Sequence, residues 1–125
     1  MYCDFHSHSR SKNIFIYGCS NNYSREDIMK ERIFPLIFHQ NCESFNFDNC
    51  KFDVQPSKES TGRVCIRKQF NIINSYTLEC GVSGPTRGPF AGSHFNIQLY
   101  KSFGVDFCKS LYDYIYDKQK LNNCM

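Results

Sequence analysis

Apolar residues recur at every fourth position through Leu99, Phe103, Phe107, Leu111 and Ile115, with Lys, Asp and Ser between them. Residues four apart stack on one side of an α-helix, so this spacing predicts an amphipathic helix that packs by one face. Gly104 inside it costs about 1 kcal/mol relative to Ala. The trailing KQKLNNCM is expected to fray.

Upstream the pattern changes. YCDFH at 2–6 alternates and predicts the end of a strand, and NIFIYG at 13–18 is a β-branched and aromatic run closing on a glycine. Ser24 with Asp27 resembles a capping box and predicts a helix start. Pro35 is expected to stop or kink that helix, leaving PLIFHQN as a second short segment. NCESFNFDNCKFDVQ predicts a loop followed by a strand. GRVCIRKQF at 62–70 and NIINSYTLEC at 71–80 are both β-rich and predict two strands. GVSGPTRGPFAGSHF at 81–95 holds four Gly and two Pro, which makes it a loop, and one that long in a small domain is more often functional than idle.

With 125 residues, one domain is expected. A net charge of +3 is too small for a nucleic-acid binder, which needs a dense basic patch. No run approaches the roughly 18 apolar residues of a membrane span, so no membrane partner is expected. Eight cysteines without any C-x-x-C pair or signal-like leader do not make a disulfide scaffold. They are expected to be reduced, half-buried small hydrophobes in a cytosolic protein.

Three clusters can carry chemistry. In DFHSHSR, His6 and His8 stand two apart and share a face on a strand, and imidazole is a common zinc ligand. The alternative is a pair of surface or hydrogen-bonded histidines, because a zinc site needs three or four ligands. Glu79 ends an apolar strand just before the glycine-rich loop, where a buried carboxylate can act as general base and then acid. Its alternative is an edge charge. In KESTGRVCIRK, Lys58, Arg63, Arg67 and Lys68 lie close together with Glu59 as the only acid. Either they form a solvated strand face, or they form an anion pocket in which an arginine fork grips a carboxylate.

Taken in order, DFHSHSR, NIFIYGC, FPLIF, SKESTGRV, INSYTLEC, the glycine-rich loop ending in HF, and FGVDFCKSL resemble the zinc metallocarboxypeptidases, specifically the cytosolic carboxypeptidase branch. Residues 2–116 carry the likeness and 117–125 form the tail. The resemblance implies an α/β fold, carboxypeptidase A-like, with a mixed sheet flanked by helices. Only the C-terminal part of the catalytic domain would be present. It implies one Zn2+ ion, with His6 as one of three protein ligands and Glu79 as general base and acid. His8 would lie beside the site, and Arg63, with Lys58 near it, would meet a substrate glutamate. The implied reaction removes C-terminal residues, glutamate by expectation, from acidic protein tails such as those of tubulin, in the cytoplasm.

The branch takes its other two zinc ligands from an upstream H-x-x-E motif, and no His here is followed three residues later by Glu. A single His does not make a catalytic zinc site. The chain alone is therefore expected to be inactive, marginally stable and prone to association, with the N-terminal half of the domain as its missing partner. A second reading is a non-catalytic binding module for glutamate-rich tails. A third, a cysteine-bound zinc module, suffers from the absent C-x-x-C pairs.

Overall fold

In the computed structural model, which describes residues 1–20 and 23–124, the elements are β1 (Tyr2–His8), β2 (Ile14–Tyr17), α1 (Arg25–Asn41), α2 (Gly62–Phe70), β3 (Ser75–Gly81), α3 (Ile97–Tyr116) and α4 (Lys118–Cys124). The sheet runs β1-β3-β2, with β1 parallel and β2 antiparallel to β3. This is the mixed sheet flanked by helices expected of an α/β fold.

All seven residues of β3 are buried, which is what a central strand covered on both faces requires. On one side Tyr76, Leu78 and Cys80 join Ile14 and Ile16 of β2 against α1 and α3. Aromatic rings fill this layer: Phe38 lies 4.5 Å from Phe45 and 5.6 Å from Phe107, centroid to centroid. On the other side α2 lies against β1 and β3, with Val64 packed on Cys19 and Val54.

Helix α1 begins as expected, with Ser24 Oγ accepting from the Asp27 amide. It does not stop at Pro35. Proline removes the N–H that would bond the carbonyl four residues back, that of Glu31. That carbonyl instead accepts from the Tyr76 hydroxyl at 2.5 Å, so the buried acceptor stays satisfied and the helix continues to Asn41.

Residues 62–70 are helical, correcting the expected strand. Val64 and Ile66 raise β propensity, but burial of Arg63 and Val64 together with Arg67, three to four residues further on, suits a helix packed by one side. Arg67 and Lys68 sit in its last turn, where positive charge is favoured, and Asn71 ends it in the left-handed conformation, φ 52°.

Residues 43–55 contain no strand. The segment makes isolated bridges from Phe45 to Ile14 and from Lys51 to Tyr17, with a 3-10 turn at Phe47–Asn49, and so covers the outer edge of β2. The outer edge of β1 has no strand beside it among the described residues.

Helix α3 buries the predicted stripe only in part. A four-residue step advances about 40° beyond a full turn, so four steps carry Ile115 about 160° round from Leu99. Ile115 is accordingly 61% exposed, and Ser110 and Asp113 are buried there instead. Asn41 donates to Ser110 Oγ at 3.1 Å and to Asp113 Oδ2 at 2.9 Å, and Lys120 of α4 pairs with Asp113. The tail expected to fray is thus helical to Cys124. Met125 lies outside the described residues.

Candidate functional site

Because side chains alternate along a strand, Asp4, His6 and His8 of β1 project to one face. The parallel register sets Asp4 beside Thr77 and His6 beside Glu79. These five residues line a cavity of about 420 Å³ together with Tyr17, Arg63 and Lys58, with Lys51, Asp53 and Gln55 also on its wall. His6, His8, Lys58, Arg63 and Glu79, expected from the sequence as site residues, therefore meet in one place. His39 and His94 do not line it: His39 Nδ1 lies 3.0 Å from Arg87 and accepts from the Phe47 amide, and His94 is exposed.

Glu79 is 8% exposed, and its Oε2 is buried without a hydrogen-bond partner among the described residues. A buried carboxylate oxygen left free is costly unless something else meets it. His6 Nε2 lies 2.9 Å from Asp4 Oδ2. This is the arrangement that commonly orients a metal-binding imidazole, with one ring nitrogen on a carboxylate and the other free to ligate. His8 Nδ1 accepts from the amides of Ser11 and Arg10 at 2.9 and 3.2 Å, which puts the ring proton on Nε2.

The basic cluster of the sequence divides. Arg63 is 6% exposed and donates from Nε to the Gly18 carbonyl at 3.0 Å, with its guanidinium 5.5 Å from the Tyr17 ring centre. Arg67 turns away from the cavity to Asp27 and Asn71, at 2.8 and 2.6 Å, and Lys68 pairs with Glu59. Burial, then the Glu79 carboxylate, pushes the Tyr17 phenol above its ordinary value, opposed by Arg63. Thr77 and Tyr17 went unnoticed in the sequence. Thr77 stands two before Glu79 and was legible by strand period, whereas Tyr17 reaches the cavity only through its pairing with Thr77.

His6 and Glu79 suit a metal centre, but the described residues alone do not complete one. No group of three or more His, Cys, Asp or Glu among them is placed to hold a metal ion. Burial pushes the thiols of Cys3, Cys19, Cys42 and Cys50 up to about 12, so they are poor ligands and act as packing groups, which weighs against a cysteine-bound metal module.

No family model matches the chain. Among curated proteins it is similar to cytosolic carboxypeptidase 2 of Mus musculus, 45% identical over 127 residues, covering 100% of this chain and 14% of the relative. It is 44% identical to cytosolic carboxypeptidase 3 of Bos taurus over 128 residues, covering all of this chain and 13% of that protein. Cytosolic carboxypeptidase 1 of Gallus gallus is 35% identical over 89% of this chain and 10% of its own length. The chain thus spans about one seventh or less of these relatives. In fold it is similar to a crystal structure of a metallo-carboxypeptidase from Burkholderia cenocepacia, with a TM-score of 0.64 and 15% identity over 86% of this chain and 28% of that one.

Proposed function

As part of a carboxypeptidase domain of the cytosolic carboxypeptidase family, the chain supplies, we propose, one wall of a zinc peptidase centre that removes C-terminal residues from acidic protein tails. The observation that carries this reading is the meeting of His6 and Glu79 at one register position on the same cavity. His6 would serve as one metal ligand, steadied by Asp4. Bound zinc would supply Lewis acidity and lower the pKa of water. Glu79, with its free buried oxygen, would take a proton from the attacking water and return it to the leaving amine.

Arg63 and Lys58 would favour a substrate acid, and glutamate is the side chain we assign, as on a tubulin-like tail. His8 would donate from Nε2 to a peptide carbonyl or carboxylate. The cytoplasm is the compartment we assign, in line with the relatives' names; no helix among the described residues is long and apolar enough to cross a membrane. Taken alone, the chain offers too few ligands for a catalytic zinc and would not turn over peptide.

The test replaces the matching segment of the mouse relative with this chain and assays the chimera on peptides ending in glutamate. Release of that residue, lost together with bound zinc in His6→Ala, is the expected result. An active chimera that keeps its zinc after His6→Ala would overturn the assignment. If the chimera binds glutamate-ended peptides but releases nothing, the non-catalytic binding module is the better reading.

A further inference from the structure

The Arg63 side chain is held by something outside the cavity. Its backbone carbonyl is fixed by Ser75 Oγ at 2.7 Å, and among the described residues the guanidinium group's hydrogen bond from Nε to the Gly18 carbonyl, 3.0 Å, is shorter than those it makes to the threonine hydroxyls. The contacts of Nη1 with the hydroxyls of Thr61 and Thr77 are long, 3.3 and 3.5 Å. Where the guanidinium points therefore depends on where the Gly18 carbonyl sits.

The segment following Gly18 is tied to Glu31 of α1. Glu31 is 3% exposed, and its carboxylate accepts from the Cys19 amide and from Ser20 Oγ. It makes no ion pair among the described residues, so its polar partners there belong to the 19–20 segment. The fit is close: a Cβ added at Gly18 would lie 2.6 Å from Glu31 Oε1 and 2.6 Å from the Phe52 ring. Burying a carboxylate is costly, and hydrogen bonds to it are stronger than neutral ones, which makes this tether both expensive to hold and hard to break.

We infer that Glu31 is a positioning residue for substrate selection: by clamping residues 18–20 it aims Arg63 at the acidic side chain of the substrate. The inference rests on the reading of Arg63 as the residue that meets that side chain. Glu31 does not line the cavity, so it would act through Arg63.

The experiment measures KM and kcat of the chimera on two peptides that differ only in ending with glutamate or leucine. Glu31→Gln should raise KM for the glutamate peptide by roughly tenfold, the loss of about 1.4 kcal/mol of aimed charge interaction. Values for the leucine peptide should stay within about twofold. Ser20→Ala, which removes one tether and keeps the carboxylate, should shift selectivity the same way by less, and it carries the test if the Glu31 variant does not fold. Arg63→Ala separates the layers. If it leaves the glutamate preference intact, the reading of Arg63 fails and this inference with it. If Arg63→Ala abolishes the preference while Glu31→Gln and Ser20→Ala weaken both peptides equally or neither, the inference alone is overturned.

Discussion

The two faces of β3 come from the same seven residues and do opposite work. Tyr76, Leu78 and Cys80 enter a layer of interlocked aromatic rings, where fit and area are what matter. Thr77 and Glu79, one residue out of step, face a cavity with His6 and Arg63. Both faces are buried, so exposure alone does not tell core from site. The distinction lies in whether polar atoms find partners: the Tyr76 hydroxyl is bonded to the Glu31 carbonyl, whereas Glu79 Oε2 has no partner among the described residues. A polar group satisfied on the apolar face is structural, and one unsatisfied on the cavity face is available for chemistry.

That division can be tested by unequal damage. Phe38→Ala, on the apolar face, should cost about 3–5 kcal/mol, enough to abolish cooperative urea unfolding in a marginal fold. Lys58→Ala on the cavity wall should change stability by less than about 0.5 kcal/mol. Equal losses would erase the contrast. Tyr76→Phe should cost about 1–3 kcal/mol by leaving the Glu31 carbonyl unpaired. In a Pro35→Ala background the same change should cost less, because residue 35 regains an N–H; an unchanged cost in that double-mutant cycle would refute the pairing.

The smallest effect concerns acid. The hydrogen bond from Lys120, opposed by burial and aided by Asn41, holds the Asp113 carboxyl below its ordinary value. A lowered folded value means that its stabilisation is complete above the unfolded pKa, near about 4, and is lost as pH falls through the folded one. Asp113→Asn should therefore flatten the acid-side stability curve, by less than about 1 kcal/mol. An identical curve in the variant would remove Asp113 from the α3–α4 clamp.

Much of this was legible in the sequence, and what was not has physical causes. The strand runs around His6 and Glu79, the Ser24 cap and the first turns of the α3 stripe are local patterns that tertiary packing leaves in place. Residues 62–70 misled because Val64 and Ile66 favour strands, while the helix is decided by what Arg63, Val64 and Arg67 bury. Pro35 misled because its remedy, Tyr76, lies 41 positions away in sequence. The site residues were reached through ordered motifs, but their convergence depends on the β1–β3 register, a pairing across more than seventy residues that no local pattern contains.

In the proposed centre Glu79 would handle the proton and His6 would hold the metal. The chimera carrying Glu79→Gln, measured side by side for turnover and for bound zinc, tests this most directly. Turnover should fall by roughly 10²–10⁴-fold while zinc stays at the unsubstituted level. Turnover within a few-fold of the parent would contradict the account.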